Sequence, residues 1–376
     1  MYKQCKKLMY KECLALASIV ALLCASTASA QDAPAPVLEV DAGEAAAAQA
    51  ASGGAAEGLM PDEIEATAEN AVVGWDKHLS IGGSGSLGTS NNVVGQQNGL
   101  STLVGVQLDG GMNYLMGQHE WRNSLVISEA AARTPIIDQF VKSNDVVYLE
   151  SLYLYKLKNI DWIGPFIRAE ATTALFPGYD VRPQSVWHIT DRDGNLVTSP
   201  KVGTSLKLSS AFLPLALKQT VGAFFKMPSS TKEFTLEGKV GFSAMEIFAD
   251  GQRAVNDDSA TANVIEILEL DNVIQMGPAI SIDTRGELQG GALSWFAGVE
   301  AMTPIYSNDD TDRSMISLTN VLFNAGFAYK LNDWASLNYQ LRALLQPQLV
   351  DQWQIQNNLM VSASYNLIKS QVEPTE

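Results

Sequence analysis

The sequence predicts an all-β protein: a transmembrane, antiparallel, up-and-down β-barrel of about twelve strands. Three observations predict it. Apolar and polar residues alternate with a period of two in segment after segment, as a strand with two unlike faces requires. The breaks between segments alternate short and long, and aromatic residues recur beside the short ones. Bacterial membrane barrels combine these features: apolar side chains face lipid, polar ones face the lumen, and short periplasmic turns alternate with longer outer loops.

The chain of 376 residues opens with Lys3, Lys6, Lys7 and Lys11, followed by an apolar run from Leu14 to Leu23. Ala28-Ser29-Ala30 then offers a small-x-small cleavage site before Gln31, so residues 1–30 read as a signal peptide cut after Ala30. The run is too short for a signal anchor, which needs about 20 apolar residues to span. Cys5, Cys13 and Cys24 all lie in this segment, and bulky Leu23 disfavours a lipid on Cys24. The exported chain therefore has no disulfide, and a large core or closure of its sheet must hold it. The segment carries four Lys and one Glu, so its removal takes the net charge from −16 to −19. Such acidity excludes nucleic acid as a partner, because no basic patch exists to displace counterions. It suits a surface that meets cations.

Residues 31–77 change in character. "APAPVLEVDAGEAAAAQAASGGAAEG" is low-complexity and reads as a flexible periplasmic spacer. "MPDEIEATAENAVVGW" (60–75) has an early Pro and good helix formers after it, which favours one short helix.

From His78 the texture is uniform to Leu367, with a tail at 368–376. Strands are expected over 78–90, 102–115, 119–130, 144–157, 161–174, 216–227, 233–248, 270–284, 291–304, 315–330, 334–346 and 354–367, with an extra hairpin around "DRDGN" within 175–215. Short breaks fall at 116–118, 158–160, 228–232, 285–290 and 331–333; long ones at 91–101, 131–143, 175–215, 249–269, 305–314 and 347–353. "YLYKLKNIDW" and "FAYKLNDW" resemble one another across two short breaks, and "HEW" at 119–121 ends alike. They set Tyr114, Tyr155 and Tyr329 just before a turn and Trp121, Trp162 and Trp334 just after one. Amphipathic rings at one level are what a membrane-interface belt requires.

Parity decides which face is wet. Leu337, Tyr339 and Leu341 oppose Asn338, Gln340 and Arg342; Leu359, Val361 and Leu367 oppose Asn358, Ser362 and Asn366. The apolar faces carry no mid-strand charge, and the polar faces are Ser, Asn, Gln, Gly and a few mixed charges, more like a crowded lumen than a solvated sheet. Closure also removes edges that so many long strands would expose.

The inward parity assigns Asp109, Glu150, Arg168, Glu170, Glu237, Lys239, Glu300 and Arg342 to the lumen. With the turn at 158–160 centred on Asn159, Glu150 is expected directly opposite Arg168. These charges read equally as a constriction that selects solutes by its field or as a plug of a narrow barrel. An enzyme is not expected. The histidines are His78, His119 and His188, the first two at the periplasmic rim and the third in a long loop, and no "GxSxG" elbow appears. No cofactor and no transition metal are expected. The acidic stretches "NDDSA" (256–260), "SNDDTD" (307–312) and "DRDGN" (191–195) would suit divalent cations bridging to lipopolysaccharide.

"WRNSL" (121–125), "KSND" (142–145) and "SSAFLPLALKQTVGAFFKMP" (209–228) make residues 90–230 similar to a family of bacterial outer-membrane barrels of unknown function. The resemblance implies an outer-membrane location and no established activity. The tail "KSQVEPTE" departs from the terminal aromatic of such barrels, leaving Tyr365 or Leu367 to meet the barrel-insertion machinery. The expected function is passive passage of small solutes through a partly obstructed lumen, or alternatively a structural or surface-binding role of the long loops without transport.

Overall fold

The computed structural model describes residues 73–90, 99–134, 137–227, 234–257, 264–308, 313–332 and 334–368. The signal segment, the spacer up to residue 72 and most of the short helix expected at 60–75 lie outside them. Seventeen strands follow in order: β1 (Gly74–Ser90), β2 (Gly99–Met116), β3 (His119–Thr134), β4 (Ile137–Tyr155), β5 (Ile163–Thr173), β6 (Gly178–Thr190), β7 (Lys201–Ser209), β8 (Leu215–Lys226), β9 (Thr235–Phe248), β10 (Arg253–Val255), β11 (Ile265–Glu269), β12 (Val273–Leu288), β13 (Leu293–Met302), β14 (Tyr306–Ser307), β15 (Asn320–Asn332), β16 (Ala335–Gln346) and β17 (Val350–Ile368).

Twelve of these close into one antiparallel barrel. β1 to β5 pair in sequence, then β5 with β8, β8 with β9, β9 with β12, β12 with β13, β13 with β15, and β15, β16 and β17 in turn. β17 returns to β1 and shuts the ring. Closure gives the backbone N–H and C=O groups of each wall strand partners on both sides, which hydrocarbon demands because it offers no water to replace them.

The side chains settle the wet face. Val106, Ile167, Val221 and Val240 are 54 to 60 % exposed, whereas Asp109, Glu170, Glu237 and Ser243 on the alternate parity are at most 5 % exposed. A soluble sandwich would bury the first set and expose the second. The apolar belt outside and the polar inside are the arrangement of a membrane-spanning barrel.

Several expectations change, among them the break at 285–290, which β12 fills to Leu288, and the strand expected from 315, which starts at Asn320. β3 runs to Thr134 and β4 starts at Ile137, while β16 ends at Gln346 and β17 starts at Val350. The expected long breaks at 131–143 and 347–353 are thus mostly strand. Their ladder continues where the alternation lapses, and two bulges in the β3–β4 pairing break the parity there. The long connections that remain at that end are 91–98, 174–214, 249–272 and 303–319. Second, β1 begins at Gly74, before the expected His78, because Trp75 and Asp76 already pair with Tyr114 and Asn113.

Third, the β4–β5 register differs by two residues. Glu150 lies opposite Glu170, and Arg168 lies opposite Leu152. The connection runs from Lys156 to Trp162, with a Leu157–Ile160 bridge and Asn159 at φ 66°, so its centre falls at Ile160. A shift of two preserves parity, so every side chain keeps its face.

The hairpin expected around "DRDGN" exists as β6 and β7. It joins β10 and β11 in a second sheet, ordered β10-β11-β6-β7, built from the connections 174–214 and 249–272. Its own core holds Trp187, Ile189, Leu206, Leu208, Val255 and Ile267. Asp145 of β4 anchors the first of these connections by accepting the backbone N–H of Leu175 (2.6 Å) and Phe176 (2.9 Å). Trp187 is 1 % exposed and donates its indole N–H to Asp180 at 2.6 Å. Trp187→Ala is therefore expected to cost the small sheet about 3–5 kcal/mol. Limited proteolysis should then cut this sheet while the barrel keeps its heat-modifiable migration.

Candidate functional site

The inward faces of β3, β4, β5, β8, β9, β12 and β13 converge on a lumen crossed by charges. Arg168 on β5 is 6 % exposed and approaches the Glu170 carboxylate at 3.0 Å and Glu150 at 4.0 Å. Its guanidinium also donates to Glu300 on β13 at 2.7 Å. Lys218 on β8 pairs with the same Glu300 and stands 3.6 Å from Glu170. The Tyr148 hydroxyl lies 3.0 Å from Glu150 and 3.2 Å from Glu170. One carboxylate thus reaches across the bore to hold two cations of another wall segment, three and four strands away around the ring.

A second set lies nearer the short turns. Arg122 on β3 pairs with Glu120 at 2.6 Å and with Glu237 on β9 at 3.1 Å, again across the lumen. Lys156 meets Glu120 at 2.7 Å. Lys239 holds Glu237 at 2.7 Å and Asp283 at 3.4 Å. Asp109 is buried inside with His78 at 3.5 Å, and Arg342 is buried on the inward face of β16. His78 therefore sits on the lumen wall, not at the rim where the sequence placed it.

Apolar side chains cluster toward both ends, at the short-turn end beside the Arg122 set. Leu152, Leu154, Phe166 and Phe224 cluster inside the wall toward the short turns. At the loop end Met245, Ile247, Leu270, Val273, Met302 and Leu349 cluster, and the β16–β17 turn brings Gln346 and Gln348 into burial with it. Arg192, from the β6–β7 connection, donates to the Gln348 carbonyl and stands 3.6 Å from Asp271. At the short-turn end the apolar cluster shares its level with charge, since Leu154 lies opposite Glu120 and Leu152 opposite Arg122.

Of the eight charges assigned to the lumen, seven are at most 8 % exposed and the Glu300 side chain is 14 % exposed. Glu150, Arg168, Glu170 and Glu300 come together in one network, and Glu237 and Lys239 in the other, while Asp109 stands 3.5 Å from His78. Arg122, Glu120 and Lys218 were not singled out, although parity exposes them: Arg122 alternates with Trp121 and Asn123, and Lys218 with Leu217 and Gln219.

The six aromatics named for the interface gather beside the short turns. Trp121 and Trp162 are each 39 % exposed, Tyr329 40 % and Trp334 62 %. Tyr114 packs tilted against Trp75 with ring centroids 5.0 Å apart, Trp75 lies 5.9 Å from Trp121, and Tyr155 meets His119 at 5.3 Å. The Trp121 indole donates to Ser151 at 2.8 Å on the same outer face. Trp75 joins this group because β1 starts earlier than expected.

No family model and no curated protein matches the chain. Among solved structures, the translocator domain of the autotransporter NalP from Neisseria meningitidis is similar at 10 % identity, covering 80 % of this chain and 91 % of that one, with a TM-score of 0.36. An outer-membrane channel from Pseudomonas putida F1 is similar at 11 % identity, covering 78 % and 95 %, with a TM-score of 0.33. A variant of the monoaromatic hydrocarbon channel TodX is similar at 11 % identity, covering 87 % and 99 %, with a TM-score of 0.32. By its own strand pairing the chain is a closed, twelve-stranded antiparallel β-barrel.

Outside the barrel, the acidic stretches fall only partly on described residues; 258–263 and 309–312 lie outside them. Asp191 spends its carboxylate on its own turn, accepting the Asn195 backbone N–H at 2.8 Å and side-chain amide at 3.2 Å. Those bonds hold its pKa below the usual value. Among the described residues no group of three metal-capable side chains converges.

Asp257 behaves oppositely: partial burial, and then a hydrogen bond with the Glu266 carboxyl, raises its pKa. A carboxyl raised on folding stabilises below its ordinary range and loses that contribution as pH climbs through the folded value. The small sheet should therefore open more readily as pH rises across this window. Asp257→Asn should flatten that dependence, read as the pH profile of proteolytic cleavage near residue 257.

Proposed function

We propose that this barrel lets small solutes cross the outer membrane through a narrow, ion-lined lumen whose bore is set by Glu300. The observation that supports the reading is the charged layer itself. A barrel serving only as a scaffold is filled at least as stably by packed apolar side chains, since a buried ion pair repays its desolvation poorly. Apolar residues cluster toward both ends, yet the middle is given to Arg168, Lys218, Glu150, Glu170 and Glu300, and Arg122, Glu237 and Lys239 extend the charge toward the short turns. Polar groups aimed at a bore are what solute selection needs. Export by residues 1–30, with the spacer on the periplasmic side, completes the reading.

Proteoliposome swelling in sugars or amino acids tests it. Slow swelling with wild type and faster swelling with Glu300→Ala are expected. If neither protein supports any swelling, the passage reading falls.

The second reading is recognition by the small outer sheet. It is favoured by the independent core of β6, β7, β10 and β11. Deleting 180–205 distinguishes the two, because it should abolish surface binding in that case and leave swelling intact.

A further inference from the structure

One arginine ties opposite walls of the barrel together over the loop end of the lumen. The chain rises into β6 from β5 and descends from β7 into β8, so the outer sheet is rooted on that side of the ring. At the far end of its hairpin, Arg192 donates to the Gln348 carbonyl in the turn between β16 and β17 and stands 3.6 Å from the exposed Asp271 carboxylate. In the closed ring of twelve, β16 lies six places from β5, and β17 six from β8. The bridge therefore runs along a diameter.

The turn that it grips is folded inward. Leu349 and Val350 are buried with Met245, Leu270, Val273 and Met302. The Gln348 side chain accepts the Ser307 hydroxyl at 2.8 Å and donates to Asn308 at 2.7 Å. Ser307 in turn pairs with Gln275 of β12. Two amides thus stand by the turn: Gln275, wholly buried, and Asn320 of β15, which donates to the Gln275 side-chain oxygen at 2.5 Å. Each keeps one atom without a partner among the described residues, Nε2 of Gln275, a donor, and Oδ1 of Asn320, an acceptor. Buried polar atoms are rarely left unpaired, and a donor and an acceptor on two bonded amides complement a neutral group that carries both.

We propose that the β16–β17 turn is a flap over a subsite for uncharged solutes, with Arg192 as its latch and the Gln275 and Asn320 amides as its recognition groups; the proposal rests on the passage reading above. When the turn lifts, Leu349 leaves its place among Met245 and Met302, the residues paired with Gln275 and Asn320. A solute with a donor and an acceptor side by side, such as a sugar's neighbouring hydroxyls or a primary amide, then pairs with both free atoms. Arg192 lets go more readily in salt, because Asp271 is exposed and the attraction between the two is screened.

Thiol labelling reads the flap, and solute flux reads the subsite. Residues 73–368 contain no cysteine, so one introduced thiol reports alone. Met302→Cys, buried beside Leu349, should react slowly with a membrane-impermeant maleimide. Adding Arg192→Ala should speed that reaction about tenfold, as the loss of one hydrogen bond to a charged group would. High salt should speed it when Arg192 is present and not in the Ala variant. Leu208→Cys, in the separate core of the outer sheet, should stay slow in both, and heat-modifiable migration verifies folding. Unchanged labelling of Met302→Cys, or labelling of Leu208→Cys that rises equally, overturns the latch. Flux is compared in the Glu300→Ala protein, where the central bore is expected to be wider. Gln275→Leu with Asn320→Leu should slow glucose several-fold and leave glucuronate, similar in size but charged, as it was. A fall shared by both solutes, or seen with neither, overturns the subsite. If the Glu300→Ala protein carries neither solute, the passage reading falls and the subsite with it, while labelling still decides the flap.

Discussion

Replacing Glu300 with Ala is expected to widen the lumen and weaken the barrel at once. The carboxylate holds Arg168 at 2.7 Å and also pairs with Lys218, so its loss leaves two inward cations beside one another. Removing one member of a buried pair costs about 3–5 kcal/mol. The lower end applies, since the Glu300 side chain is 14 % exposed and Arg168 keeps Glu170 at 3.0 Å. Urea unfolding in lipid vesicles should show the loss, and planar-bilayer recordings should show larger unitary currents. Glu300→Gln retains a hydrogen-bond acceptor without the charge and should fall between. An unfolding midpoint and a current both equal to wild type would mean that the bridge across the bore does not form.

Leu149→Arg is expected to damage the barrel from the other face. Leu149 is 48 % exposed on the outward parity of β4, between the inward Tyr148 and Glu150. An arginine facing acyl chains near the membrane midplane costs about 2–4 kcal/mol, with less near the interfaces. Ser124→Lys supplies the contrast. Ser124 lies opposite Glu150 in the β3–β4 register, so a cation there joins the charged lumen beside a carboxylate. Folding yield into vesicles should drop for Leu149→Arg and hold for Ser124→Lys. Equal yields would contradict the assignment of the two faces.

Much of the candidate site was readable before any coordinates. The charges named from parity are buried or nearly so, because a side-chain period of two is a property of the strand itself and survives errors in where strands begin. Arg122 and Lys218 were equally readable and were passed over; their neighbours Trp121 and Leu217 already give the parity. The β4–β5 register was not readable. Symmetry about Asn159 set Glu150 against Arg168, but the real connection is wider and recentred on Ile160, a matter of turn geometry that seven residues of sequence do not specify. The loop lengths misled at 131–143 and 347–353, because strands rising beyond the lipid belt keep their hydrogen bonds and lose their alternation.

By itself, then, the sequence determined a twelve-strand antiparallel barrel with an apolar outside and a polar inside, since both follow from local pattern and from what lipid tolerates. Only the tertiary structure decided which walls touch: Glu300 with Arg168 and Lys218, Arg122 with Glu237, and β17 with just six residues of β1. Contacts across a bore depend on the stagger and tilt accumulated around all twelve strands. No single segment carries that sum.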